Sequence, residues 1–253
     1  MSIKYIFCIS TGRSGTAYLS KLLSQLDNCS AYHEQKPVLH NEIMRDYLDG
    51  NEEKLKKELL KKLEYIRNNQ NAIYADTSHV FIKSFGWEIP KHIPQNEIGV
   101  VILKRDKEKV VQSTQRVHSG PFTYLGKKWI LIPYKNAIIK PPINYYIFHF
   151  YRYLLKLYWL YKDETNSIVK TYPKFFRKKS IQLINWYYDE IYALGAKFKK
   201  TFPKITYVDL NLEDLNTIEG FETIIQTFKL NEYYDKEAVK SVIGTVSNLK
   251  SEF

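Results

Sequence analysis

The feature that most constrains the fold is a short apolar segment near the start of the chain, followed at once by a glycine-bearing turn. Residues 3–10 (IKYIFCIS) are rich in β-branched and aromatic side chains, which predicts a buried strand. Thr11 and Gly12 come next, and four leucines within residues 15–26 fall on one helical stripe. A strand, a glycine turn and a helix in this order open an α/β unit.

The same alternation continues along most of the chain. Apolar, β-rich segments predict further strands at 29–33, 72–76, 98–104 and 205–210. Amphipathic segments predict helices at 42–68 (one or two), 107–117 and 217–229. We therefore expect an α/β fold with a mostly parallel sheet flanked by helices on both faces. The charged run EEKLKKELLKKLE within the first of these helical segments is interpreted as a solvated face.

Residues 119–200 do not follow this rhythm. They begin with loop-like, proline-containing sequence and continue as aromatic, basic helical segments. Because no linker-like stretch flanks them, we predict one domain over 1–253, with 119–200 as an insertion or lid. The aromatic run at 143–161 contains a histidine, an arginine and a lysine, which argues against a membrane-spanning helix. We interpret its aromatics mainly as packing residues, and the basic cluster KFFRKK at 174–179 mainly as solvated. The alternative for that cluster is attraction to an anionic acceptor or membrane surface.

Charge and composition narrow the possible partners. The 38 Lys and Arg against 27 Asp and Glu give a formal net charge of +11, and 44% hydrophobic residues exclude a disordered chain. The charge favours an anionic partner: nucleic acid, an anionic membrane, or a phosphate- or sulfate-bearing ligand. Two cysteines without a CxxC motif exclude a disulfide scaffold and a structural zinc site, and they predict a cytoplasmic location.

The turn after the first predicted strand has the features of an anion-binding loop. It reads Thr11-Gly12-Arg13-Ser14-Gly15-Thr16. Two glycines allow close approach of the backbone, the helix start presents free amides, and the arginine adds a fixed positive charge. The turn is neither a Walker A loop nor a GxGxxG motif. The alternative is an ordinary strand-to-helix turn with glycines for geometry.

A second candidate anion site follows the strand predicted at 98–104. Arg105 stands at its carboxyl end, where α/β sheets bind ligands, and Ser113 lies eight positions on in the next helix. Together they could hold a phosphate. The alternative is a surface ion pair between Arg105 and Asp106, with Asp106 capping the helix.

The two motifs together resemble the sulfotransferase family, in the style of its tyrosylprotein and bacterial branches. The matching positions are Arg13, Ser14, Gly15, Thr16, Arg105 and Ser113, with Thr11 and Gly12 completing the loop. The resemblance covers about residues 3–35, 72–116 and 204–230. It implies a P-loop nucleotide-kinase-like fold and 3′-phosphoadenosine 5′-phosphosulfate as co-substrate.

Sulfuryl transfer to a hydroxyl also needs a base. Glu34 resembles the catalytic glutamate of the tyrosylprotein-type enzymes, and we favour it. His79 resembles the catalytic histidine of cytosolic members, although its context is Thr-Ser-His and lacks the family's lysine. His33 is a third candidate. The resemblance implies catalytic roles for Glu34, Arg13 and His79, and it requires no metal.

The sequence therefore predicts a cytoplasmic sulfotransferase acting on a hydroxyl-bearing acceptor of unknown class. One alternative is a P-loop-like kinase or other nucleotide-binding enzyme, against which the loop lacks a lysine. Another is a basic nucleic-acid-binding protein, although the basic residues are spread along the chain and we expect no nucleic-acid partner. A third is an inactive scaffold of the same family.

Overall fold

A computed structural model describes residues 2–161 and 174–245 of the chain. Part of the predicted insertion, 162–173, lies outside the described residues.

Five parallel strands form one sheet in the order β2-β3-β1-β4-β5. The strands are β1 (Tyr5–Ile9), β2 (Cys29–Tyr32), β3 (Ile73–Asp76), β4 (Ile98–Lys104) and β5 (Thr206–Asn211). The predicted α/β class and parallel sheet are therefore confirmed. Each predicted strand is present, with the same bounds for β4 and with bounds that agree to within two residues for the others.

Ten α-helices lie in the described part of the chain. They are α1 (Thr16–Leu23), α2 (Glu42–Leu48), α3 (Glu53–Arg67), α4 (Ile89–His92), α5 (Lys107–Arg116), α6 (Tyr124–Trp129), α7 (Tyr145–Tyr161), α8 (Lys174–Thr201), α9 (Ile218–Phe228) and α10 (Lys236–Lys240). The segment predicted at 42–68 forms two helices, separated at Gly50, whose φ of 95° is incompatible with a continuous right-handed helix. None of the described helices combines the length and apolarity needed to cross a membrane.

Each face of the sheet carries its own apolar core. On one face, buried side chains of α1, α9 and α10 pack together, among them Leu19, Leu22, Phe221 and Phe228. On the other face, α3 and α8 pack over the sheet. Because the central strands β1 and β4 are covered on both faces, they are almost continuously apolar, as in β4 (IGVVILK).

One lysine of the charged run on α3 is not solvated as expected. Lys62 is fully buried, and its Nζ lies 2.7 Å from Oδ2 of Asp76 at the end of β3. It also donates a hydrogen bond of 2.8 Å to the carbonyl of Gln35. A buried ammonium needs such partners, since desolvation would otherwise exceed the gain from packing. Lys62 therefore fixes the segment that follows Glu34.

The long helix α8 is part of the core, although it lies within the region predicted as an insertion. The Tyr192 hydroxyl donates to the carbonyl of Leu103 (2.9 Å), and the Tyr188 hydroxyl donates to that of Arg105 (2.8 Å). Buried Glu190 accepts hydrogen bonds from the amides of Ile138 and Ile139. α8 is thus bonded to the end of β4, and it holds the loop before α7 in place.

Candidate functional site

A cavity of about 720 Å³ opens at the carboxyl edge of the sheet. Residues that follow each of the five strands contribute to its lining. β1 lies between β3 and β4, so the chain leaves it toward one side of the sheet and later returns on the other. Such a switch point is where open α/β sheets bind ligands.

The loop after β1 has a backbone shaped for close approach of a ligand. Arg13 and Gly15 adopt left-handed φ values of 71° and 91°. A Cβ on Gly15 would lie 2.3 Å from Cδ1 of Leu212, so both strain and space favour glycine there. In the part of the chain that is described, no protein acceptor bonds the amides of residues 13–17. These amides, at the start of α1, remain available for an anion.

The six residues of this turn divide into two groups. Gly12, Arg13, Gly15 and Thr16 line the cavity. Thr11 and Ser14 are fully buried and their hydroxyls bond to each other, so these side chains stabilise the loop. The Gly12 amide donates to the hydroxyl of buried Tyr187 on α8 (2.9 Å), and this hydrogen bond anchors the loop to α8.

The two predicted anion motifs meet in this cavity. Nη1 of Arg105 donates to the carbonyl of Arg13 (2.8 Å), and Nε of Arg13 donates to Oγ of Ser113 (3.1 Å). These contacts join residues that are 92 and 100 positions apart in the chain. Asp106 caps α5 by accepting from the Lys109 amide, as one alternative anticipated.

The cavity concentrates positive charge without neutralising it. Arg116 joins Arg13 and Arg105 in the lining, and within the described residues none of the three pairs with a carboxylate. Burial lowers the pKa of Arg13, and the charges of Arg105 and Arg116 lower it further. Guanidinium groups without a carboxylate partner, of which Arg13 is partly desolvated, are stabilised by a multiply charged anion.

The candidate bases line the same cavity, beside the loop that follows β1. Glu34 follows β2 with a left-handed φ of 62°, and His79 follows β3. Oε1 of Glu34 lies 3.3 Å from Nε2 of His79 and 3.9 Å from Nε2 of His33. Burial alone would raise the pKa of Glu34, but the hydrogen bond from His79 and nearby positive charge outweigh it and lower the pKa. Glu34 is therefore ionised at neutral pH.

A buried lysine behind His79 completes this group. Nζ of Lys83 lies 2.9 Å from Nδ1 of His79 and donates to the carbonyl of Trp129 (2.5 Å). Burial lowers the pKa of Lys83 to about 7, and burial with the charge of Lys83 lowers the pKa of His79 to about 4. The sequence reasoning missed Lys83. Its spacing of four residues from His79 is the signal that could have found it.

Other lining residues come from segments that no motif marked. They are Tyr18, Leu125, Trp129, Ile130, Tyr187, Leu212, Asn216, Gly244 and Thr245. Most approach the cavity from distant parts of the chain, so their proximity follows from the tertiary fold.

No family model matches the sequence, and the search of curated proteins finds no significant match.

Proposed function

We propose that the protein is a sulfotransferase that moves a sulfuryl group from 3′-phosphoadenosine 5′-phosphosulfate to an acceptor hydroxyl. The observation that carries this proposal is the direct contact between two distant anion motifs, through the Arg105–Arg13 and Arg13–Ser113 hydrogen bonds. One nucleotide with anionic groups at both ends would satisfy both motifs at once. The strand order, which spreads from β1 in both directions, agrees with a P-loop-like nucleotide site.

The donor would use the two motifs in different ways. The amides of residues 13–17 and the start of α1 would bind the 5′-phosphosulfate. Arg105 and Ser113 would bind the 3′-phosphate, since a guanidinium forms paired hydrogen bonds with phosphate oxygens. Ser113 already accepts from Arg13, so its own hydroxyl hydrogen is free to donate. Arg13 lies between the two groups and would stabilise the charge that develops on the departing phosphate.

The contacts of His79 favour Glu34 as the base. When Lys83 is charged it can only donate, so Nδ1 of His79 must accept from it. Neutral His79 then carries its proton on Nε2 and donates it toward Oε1 of Glu34. A histidine in this tautomer cannot take a proton through Nε2. While Lys83 is charged, His79 therefore positions Glu34, and Oε2 of Glu34, which makes no hydrogen bond in the described region, would receive the proton.

The reaction then proceeds as an in-line displacement at sulfur. The acceptor O–H bond breaks as its proton passes to Glu34, and the acceptor oxygen forms a bond to sulfur. The bond from sulfur to the bridging oxygen of the 5′-phosphate breaks, and its electron pair leaves with that oxygen. The products are the sulfated acceptor and 3′-phosphoadenosine 5′-phosphate.

A transfer assay with radiolabelled donor tests this function. The protein is incubated with separate pools of phenols, sugars, glycolipids and tyrosine peptides, with Glu34→Gln as the inactive control. We expect label in one pool with the wild type and not with the variant. A parallel arm uses Mg²⁺ and γ-labelled ATP. Label from ATP alone would replace the proposal with a kinase, and no transfer from either donor would favour an inactive scaffold.

A further inference from the structure

The outer face of α7 is an apolar stripe on an otherwise basic part of the surface. Its members are Tyr146, Ile147, Phe150, Tyr153, Leu154 and Leu157, each between 39% and 74% exposed. At about 100° per residue they fall within an arc of about 120°. Phe148 and Leu155, on the opposite side of the helix, are buried against the core. The outer stripe is therefore not needed to attach α7 to the protein.

The charged residues along α7 and the first half of α8 are all basic, although acidic Asp49 lies near His149 of α7. In the described residues 135–161 and 174–188 there are eight Lys and Arg and no Asp or Glu. Lys156 is exposed on α7, and Arg177 and Lys178 are exposed at the start of α8. Tyr151 of α7 packs against Phe175 and Phe176 of α8, with ring centroids 5.7 Å apart in both pairs. The basic residues and the stripe thus belong to adjacent helices.

We propose that this surface, the α7 stripe with the basic start of α8, docks on an anionic phospholipid membrane. Aliphatic and aromatic side chains on one helical face, with cations beside them, suit the boundary between lipid headgroups and acyl chains. Tyrosine is favoured at that depth because its ring is apolar and its hydroxyl is polar. The helix would lie in the plane of the interface. The proposal does not depend on the sulfotransferase assignment.

Two other partners fit the surface less well. A second copy of the chain would bring the same cations together around the stripe, which opposes association. A nucleic acid would match the charge, but Ile147, Leu154 and Leu157 offer no hydrogen bond to a base and gain little from phosphate contacts. The anionic membrane satisfies both the charge and the apolar side chains.

Vesicle sedimentation of the full chain tests the docking. The vesicles are phosphatidylcholine alone, or phosphatidylcholine and phosphatidylserine in equal parts. We expect the protein to sediment with the anionic vesicles, less so at high salt, and to remain in solution with the neutral ones. Absence of sedimentation, or equal sedimentation with both vesicles, would overturn the proposal.

Two variants separate the apolar from the electrostatic part. Combining Phe150→Ser, Leu154→Ser and Leu157→Ser should weaken binding at least about 100-fold. Combining Arg177→Gln with Lys178→Gln should weaken it by about 25-fold, or about fivefold per charge. The matched control combines Leu60→Ser with Tyr65→Ser on exposed positions of α3 and should bind like wild type.

Because the changed side chains are exposed, each variant should keep the wild-type fold. Thermal melts check that it does. Unchanged vesicle binding by the apolar variant would contradict the proposal. Sedimentation velocity provides a second check. If the wild type were a dimer and the apolar variant a monomer, the stripe would be an interface between copies, which would also contradict the proposal.

Discussion

The cavity and the α7 surface are both rich in positive charge and aromatic side chains, but they hold them in different ways. In the cavity, Arg105 donates to the Arg13 carbonyl, Arg13 donates to Ser113, and Tyr187 fixes the loop. On the surface, the cations Lys156, Arg177 and Lys178 are exposed. Cations fixed by hydrogen bonds can select one ligand by its geometry. Exposed, flexible cations can select only a charged surface. Variants of the cavity and of the α7 surface should therefore have separate effects.

The largest effect is expected at Glu34, which should serve chemistry alone. Glu34→Gln should lower the rate of transfer by about 10²–10⁴, the usual contribution of a general base. Affinity for 3′-phosphoadenosine 5′-phosphate and for anionic vesicles should stay within twofold of wild type. Single-turnover assays and titration calorimetry measure the two properties. A variant that retains the wild-type rate would remove Glu34 from the mechanism.

Lys83, buried beside His79, offers a test through the pH dependence of stability. Its pKa is lowered to about 7 in the folded protein from an ordinary 10.5, so between these values the unfolded chain binds more protons. The free energy of unfolding of wild type should therefore rise relative to Lys83→Met as the pH increases from 7 to 9.5. The slope of the difference should reach about 1.4 kcal/mol per pH unit at most.

Urea unfolding of both proteins across this pH range provides the measurement. Lys57→Met, at an exposed position on α3, is the matched control and should run parallel to wild type. Parallel curves for Lys83→Met as well would show that the pKa of Lys83 is not lowered in the folded protein.

Arg105→Ala should weaken nucleotide binding in the cavity and leave membrane binding by the α7 surface unchanged. Loss of hydrogen bonds to a charged phosphate should weaken binding of 3′-phosphoadenosine 5′-phosphate by about 10- to 200-fold, from about 1.5–3 kcal/mol. Vesicle binding should not change. The combined α7 variant, Phe150→Ser with Leu154→Ser and Leu157→Ser, should do the reverse. If either variant impaired both nucleotide binding and vesicle binding, the two regions would not be independent.

Ser113→Ala should have the smallest effect, because one neutral hydroxyl is removed and Arg105 remains. We expect a loss in nucleotide affinity of about two- to tenfold. Ser113→Thr, which keeps the hydroxyl, should recover part of it. Calorimetry distinguishes these values, and full affinity in the alanine variant would exclude Ser113 from the nucleotide site.

The sheet could be predicted from the sequence because its signal is local. Each strand is a short apolar run bounded by polar or glycine-containing turns, and the helices predicted at 107–117 and 217–229 show their own periodicity. The short helices α4, α6 and α10 were not predicted. Glu34 and His79 were selected through the family resemblance, but the meeting of Arg13, Glu34, His79 and Arg105 at one cavity follows from their places in the chain. They follow the strands directly, and parallel strands bring their carboxyl ends to the same edge.

The remaining features depend on contacts between distant segments. Lys62 looks like its solvated neighbours, and only the tertiary fold buries it beside Asp76. Tyr187 and Phe150 belong to similar aromatic, basic sequences, yet Tyr187 is fully buried and Phe150 is 57% exposed. Composition alone does not distinguish an aromatic helix that packs on the sheet from one that leaves a face uncovered.

Calorimetry with three ligands tests whether one nucleotide bridges both anion motifs. The ligands are 3′-phosphoadenosine 5′-phosphate, 5′-AMP and 3′-AMP, each titrated into wild type and Arg105→Ala. We expect the bisphosphate to bind wild type more tightly than either monophosphate does. In Arg105→Ala, we expect the bisphosphate and 5′-AMP to bind with equal affinity. Equal affinities for the bisphosphate and 5′-AMP in the wild type would contradict the proposed bridging.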